Sequence, residues 1–463
     1  MSEIRKVAIV GLDCADPHLM FERFVDDLPV QTRLMAGGTY GRMESCLPPI
    51  TVPAWSCMAT SKDPGTLGIY GFRNRADYGY DKLTIATSLA VKEPRVWDLL
   101  GERGKKVILL GVPGTYPITH PPNGVMVTCF MTPGLESDYT WPKELKAEIA
   151  RVAPNYQLDV KDFRTEDKDR LVKQIYDMTA ERFKLAKHLV TTQPWDFFWM
   201  VEMGPDRLYH GFWQYADPAH HRYQPGNPLE NCIRDYHKFL DEQIGELLDR
   251  MDLDRTAVLW VSDHGAQRMH GGVCFNDWLI QQGYLKLREM PDKPTKFAEV
   301  QIDWSKTRAW GEGGYYARCF LNVEGREPNG RVRRRDYEAF RDELIVKLEG
   351  MVDHNGQPMG TKVYKPQDIY DKVNNVPPDL IVLFGNLNWR SVGTVGNPSI
   401  YTFENDTGPD DANHSQHGMY LLYHPSLPAR GRVDTATLYD VAPTVLRMLD
   451  VPVPPDMRGR SLI

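Results

Sequence analysis

The sequence predicts an α/β fold, a three-layer α/β/α sandwich in which helices cover both faces of a mainly parallel sheet. Two observations carry that expectation. Short apolar, β-branched runs recur along the whole chain, and unbroken apolarity of this kind fits strands covered on both faces rather than one. Helix-period segments lie between several of them, and strands alternating with helices build parallel sheets. The size agrees, since 463 residues with 42% hydrophobic and 25% charged side chains describe a globular chain with a sizeable core.

Taken in order, Lys6 to Val10 reads as the first strand, and Thr51 opens a helix-compatible stretch after two prolines. Residues 62–95, rich in Gly, Tyr and Arg, break the rhythm. Lys106 to Leu110, Gly124 to Cys129 and Asp196 to Val201 follow as strands. The segment Leu229 to Met251 then places Ile233, Tyr236, Leu240, Ile244, Leu247, Leu248 and Met251 on one helical face. Thr256 to Val261, Asp379 to Phe384 and Gly418 to Tyr423 complete the strand series, and residues 265–335 show no sustained period. The expected organisation is a single domain spanning 1–463, with cap segments at about 62–95 and 265–335. Such insertions belong over the carboxyl ends of the strands, where open α/β sheets bind ligands.

Composition excludes several function classes. Lys plus Arg number 55 against 62 for Asp plus Glu, a net charge of −7, so there is no global positive field for a nucleic-acid polymer or an anionic membrane. The apolar segment Val7 to Val10 is too brief for a signal-peptide core, and no run reaches the roughly 18 to 20 apolar residues of a bilayer span. A cytoplasmic protein is expected. Its 7 cysteines are scattered and never in a Cys-x-x-Cys pair, which suggests reduced structural thiols rather than a zinc ribbon or disulfide framework.

Metal-type residues stand at the ends of predicted strands. Asp13 follows the first, Asp206 and His210 follow the run ending at Met203, and Asp263-His264 follow Thr256 to Val261. The cluster His414-Ser-Gln-His417 precedes the strand at Gly418. Asp and His are ligands that zinc and manganese accept. Each alone also fits a plainer role: Asp13 a cap or turn residue, Asp206 and His210 a solvated helical face, Asp263 a turn. Their joint occurrence at boundaries that converge on one sheet edge favours a site. Thr51 is the nucleophile candidate, placed where a helix N-terminus favours a phosphate; an N-cap role suits it equally.

With these residues the chain resembles the alkaline phosphatase superfamily, in particular its type I phosphodiesterase/nucleotide pyrophosphatase branch and related predicted phosphohydrolases and phosphomutases. The resemblance spans nearly the whole chain, through Gly11-Leu-Asp13, Thr51-x-Pro53, Thr60 to Ile69, Pro205-Asp206-x-x-x-His210, Ser262 to Gly265, Asn276-x-Trp278-Leu279 and the tail from Asp440 to Leu462. It implies an alkaline-phosphatase-like fold and a phosphoric ester hydrolase with two divalent ions, zinc before manganese. Thr51 would be the nucleophile, contact both ions and carry a covalent phosphoryl group. One ion would be held by Asp13, Asp263 and His264, the other by Asp206, His210 and a histidine of the 414–417 cluster. His414 and His417 both match spacings found in the superfamily, with His414 favoured.

The chain departs from that branch at substrate recognition. Where an Asn twenty-one residues after the nucleophile would help hold the phosphoryl oxygen, this chain has Phe72, expected with Arg73 and Asn74 to bind substrate; Asn74, Arg73 or Arg75 would replace the lost contact, or metals and backbone N–H groups alone would serve. Arg suits the task through its planar fork. The expected partner is a small phosphate ester, with a second copy of the chain as the one macromolecular candidate. Two alternatives stand beside hydrolysis: a metal-dependent phosphomutase, and a non-catalytic metal-dependent binding protein on the same fold.

Overall fold

In the computed structural model, which describes residues 3–463, strand Lys6–Leu12 lies inside a ten-stranded sheet. It pairs in parallel with Phe197–Glu202 on one side, Val7 opposite Phe197, and with Thr256–Val261 on the other, Val7 opposite Ala257. Val107–Leu110 and Gly124–Val127 extend the parallel set beyond Phe197–Glu202. The runs are apolar throughout because every residue of Phe197–Glu202 and Thr256–Val261 is buried. His417–Tyr423 joins Thr256–Val261 antiparallel and hands on to Thr39–Glu44, so the centre is parallel and the flanks mixed. Helices Pro29–Ala36, Lys168–Thr192, Gly204–Ala216 and Cys232–Leu248 pack together on one face, and Thr51–Thr60, Val96–Glu102 and Val441–Met448 on the other. The three-layer sandwich expected from the sequence is the observed fold.

One strand was expected in this sheet and lies elsewhere. Leu380–Leu383 belongs to a separate four-stranded antiparallel sheet with Ala309–Glu312, Ala317–Leu321 and Lys362–Tyr364. It is equally buried there, against a second apolar core drawn from Val273 to Trp389 that includes helix Tyr337–Glu349. Burial on both faces explains its apolarity without identifying the sheet. The elements around this second core continue well past residue 335. Segment 62–95 contributes the hairpin Arg73–Arg75 with Leu83–Ile85, docked by Tyr80 stacked on Trp304 at 3.7 Å and by the ion pair of Arg75 with Glu327 at 3.3 Å. Among the described residues no helix is long and apolar enough to cross a membrane, and all seven cysteines are free.

Helix Gly204–Ala216 starts at a glycine because nothing larger fits. A Cβ there would overlap the Tyr236 hydroxyl, which is hydrogen-bonded to Thr179 at 2.9 Å. Gly204→Ala is expected to cost about 1–3 kcal/mol of stability through overpacking; an unchanged melting temperature would show that the helix start has slack.

Candidate active site

The carboxyl ends of the three adjacent parallel strands deliver the predicted groups to one place. Asp13 follows Lys6–Leu12, Asp206 and His210 sit one turn apart on Gly204–Ala216, and Asp263-His264 follow Thr256–Val261. His414 arrives from strand Ala412–Ser415, which pairs antiparallel with Gly265–Arg268 so that His414 lies opposite Ala266. All six side chains are buried.

The three histidines share one arrangement. Nδ1 of His414 donates to the Pro49 carbonyl at 2.8 Å, Nδ1 of His264 faces the Gly265 carbonyl at 3.2 Å, and Nδ1 of His210 faces Asp410 at 2.8 Å and the Ala412 carbonyl at 3.0 Å. With each Nδ1 tied to oxygen, each Nε2 is turned to the centre, the tautomer and orientation that metal-ligating histidines take from their outer partners. Nε2 of His210 lies 3.2 Å from Nε2 of His414 and 3.3 Å from Asp206 Oδ1. Nε2 of His264 lies 3.1 Å from Asp263 Oδ2 and 3.9 Å from Asp13 Oδ1. Two ligand groups result, Asp206 with His210 and His414, and Asp13 with Asp206 and His264; Asp206 belongs to both. A third group takes in Cys14 beside His264 and His414.

The electrostatics call for positive charge. Burial, then the neighbouring carboxylates of Asp263 and Asp206, push the Asp13 carboxyl well above the usual range. Asp13 Oδ1 has no hydrogen-bond partner, a costly state for a buried carboxylate unless a cation meets it. Burial works against the charged forms of His210 and His264, yet Asp410 and Asp206 around the first, and Asp263 beside the second, push both imidazoles up to about 9. His414, by contrast, is held well below its ordinary value by burial and by those two imidazoles. Two Nε2 atoms 3.2 Å apart cannot both aim lone pairs at each other without a proton or a metal between them. The donor set of carboxylate oxygens and imidazole nitrogens fits divalent zinc or manganese.

Thr51 is the first residue of helix Thr51–Thr60, buried along its whole length. It does not cap the helix; its Oγ1 lies 3.3 Å from Nε2 of His264. Trp55, one turn on, donates from Nε1 to Asp13 Oδ2 at 2.6 Å, so the helix also orients a candidate ligand. Thr51 opens into a cavity of about 510 Å³ that Asp206, His210 and His414 also line. A larger cleft of about 1070 Å³ lies along the C-terminal segment and holds no other candidate ligand than exposed His417.

Of the expected substrate contacts, Phe72 and Arg73 line the smaller cavity. Asn74 does not, because its turn uses its side-chain amide: Oδ1 accepts from the Tyr70 N–H at 2.8 Å and Nδ2 donates to the Gly71 carbonyl at 2.9 Å. Arg75 is committed to Glu327. Sequence reasoning passed over Asp410, Arg164 and Arg207. Asp410 holds His210 and pairs with Arg164 at 3.0 Å, while Arg207 joins Asp206 at 2.6 Å to Asp159 at 2.7 Å. Only Arg207 carried a signal, a cation adjacent in sequence to a ligand-type Asp.

The model of one protein family, type I phosphodiesterase / nucleotide pyrophosphatase, matches residues 7–410. The chain belongs to that family. Solved structures of ectonucleotide pyrophosphatase / phosphodiesterase 5 share the fold of this type I phosphodiesterase family member. The human protein is 14% identical at a TM-score of 0.55, covering 98% of this chain and 97% of that one. An inactive form of the murine protein, in complex with AMP, is 12% identical at 0.55, covering 98% and 96%. No curated protein matches the chain.

Proposed function

We propose that the protein is a phosphoric ester hydrolase of the phosphodiesterase or pyrophosphatase type, with Thr51 as nucleophile. The observation that carries the reading is the position of Thr51 Oγ1, 3.3 Å from a candidate ligand nitrogen, at a helix N-terminus and on a cavity wall. Asp13, Asp263 and His264 would hold one divalent ion and Asp206, His210 and His414 the other, zinc before manganese. When bound, the pair of ions supplies the positive charge that makes a threonine hydroxyl acidic and offsets charge developing on the phosphoryl group.

The chain's own residues do the rest. Trp55, Asp410, Pro49 and Gly265 hold Asp13, His210, His414 and His264 in place before substrate arrives. The buried helix fixes Oγ1 while its N-terminal end faces the incoming phosphate, which favours negative charge there. Oγ1 gives up its proton to solvent and forms a bond to phosphorus as the bond to the leaving oxygen breaks. That oxygen takes a proton from water in the cavity. A second water then cleaves the Thr51 phosphoester, restoring the hydroxyl.

The test is turnover of p-nitrophenyl phosphate and bis-p-nitrophenyl phosphate by metal-stripped protein, before and after zinc or manganese is restored. Esters of AMP join the panel because a relative of the same fold was solved with AMP. Metal-restored turnover of at least one ester is expected, and none with either metal would defeat the reading. Metal binding should also follow pH in a set direction. In the metal-free protein the His210 and His264 imidazoles, held up to about 9, are protonated at neutral pH, and a metal must displace those protons. Affinity therefore rises with pH. Calorimetry in buffers of different ionisation enthalpy should show net proton release on metal saturation at neutral pH; binding without release would contradict the ligand assignment.

A further inference from the structure

The cavity beside Thr51 is built for more negative charge than one phosphodiester carries. Five arginines line it, Arg73, Arg164, Arg207, Arg318 and Arg390, against three carboxylates, Asp159, Asp206 and Glu312. Three of the arginines are committed: Arg164 to Asp410 at 3.0 Å, Arg207 to Asp159 and Asp206, and Arg390 to Asp406 at 3.3 Å. Arg73 and Arg318 are not. Among the described residues neither lies within ion-pair distance of a carboxylate. Glu312, opposite Arg318 in the strand register, closes no ion pair with it.

Their placement is specific. Arg73 comes from the hairpin of the first cap segment and Arg318 from strand Ala317–Leu321 of the second, and a guanidinium N–H of Arg318 donates to the Arg73 carbonyl, joining the two at the cavity wall. Arg318 is 7% exposed, and Arg390, another lining residue, is 3% exposed with Nε lacking any hydrogen-bond partner. Arg73 itself is exposed, but Arg318 is buried with a backbone carbonyl as its acceptor and no carboxylate to balance its charge, and an anion entering the cavity supplies that balance. Phe72 and Phe130, also in the lining, meet edge to face with centroids 6.1 Å apart and add an apolar stretch of wall.

We propose that the substrate is a phosphate ester carrying a second anionic group, a phosphate or carboxylate, which Arg73 and Arg318 hold while Thr51 attacks the first. The inference rests on the hydrolase reading of the Thr51 site and adds a charge requirement to it. Arg73 and Arg318 act as specificity residues in this proposal.

The experiment uses the full metal-loaded protein and p-nitrophenyl diesters whose second arm ends in a carboxylate, a phosphonate or a neutral methyl ester, on short and long spacers. The charged arms should raise kcat/KM over the neutral arm by about tenfold or more, mainly through KM. In Arg73→Gln and in Arg318→Gln the charged-to-neutral ratio should fall toward one, and Arg73→Lys should recover part of it. Equal use of charged and neutral arms by the unaltered protein would overturn the proposal. If no diester is turned over, the hydrolase reading fails separately. Calorimetric binding of the corresponding non-hydrolysable phosphonates then decides the clamp, tighter binding of the charged arm supporting it and equal binding overturning it.

Discussion

Thr51→Ala should lower turnover of the preferred ester by roughly a thousandfold or more while the protein keeps its fold and its metal content. The size follows from removing the atom that forms the new bond, which no neighbour replaces. Thr51 Oγ1 makes one side-chain polar contact, at 3.3 Å to His264, so its loss strands no strongly paired group. The side chain is small, and a methyl in place of a hydroxyethyl leaves a modest cavity at the helix start. Unchanged melting temperature and metal stoichiometry would separate a chemical loss from a structural one. Thr51→Ser should retain measurable turnover because it keeps the hydroxyl, whereas a Thr51→Ala protein within tenfold of the original would remove Thr51 from the mechanism.

The second large effect separates two histidines three residues apart. His414→Ala should reduce metal affinity by at least about 100-fold, beyond the 10- to 100-fold that loss of an outer-shell partner costs, and turnover should fall with it. His417→Ala should leave both close to the original. His414 is buried, with Nδ1 fixed on Pro49 and Nε2 3.2 Å from that of His210. His417 is exposed and lines the larger cleft instead. Metal content after dialysis, read by elemental analysis, checks both variants. Loss of metal from His417→Ala, with retention in His414→Ala, would reverse the assignment.

That pair also shows how far sequence reasoning reaches. Asp13, Asp206, His210, Asp263 and His264 were legible because each follows an apolar run, and a parallel sheet carries the ends of such runs to one edge. Spacing alone left His414 and His417 open, since both fit before the strand beginning near Gly418. The antiparallel pairing of Ala412–Ser415 with Gly265–Arg268 is what turns His414 inward. Leu380–Leu383 shows the converse limit: a strand buried on both faces has the same composition in either sheet. Asn74 is a chemically sensible substitute for the missing phosphate contact, but its hairpin entry needs both ends of the amide. Asp410, Arg164 and Arg390 come from loops or short strands with no periodic signal, and only the fold brings the two arginines to the cavity and Asp410 to His210.

The claim on which the account turns is that phosphorus passes through Thr51. The most direct measurement is rapid acid quenching of the metal-loaded protein during turnover of its best ester, followed by mass-spectrometric mapping of its peptides. The account predicts a phosphoryl or phosphodiester adduct on Thr51, absent from Thr51→Ala and from protein quenched without substrate. Steady turnover with the Thr51 peptide unmodified at every quench time, together with an adduct on another residue or direct incorporation of solvent oxygen in a single inverting step, would contradict it.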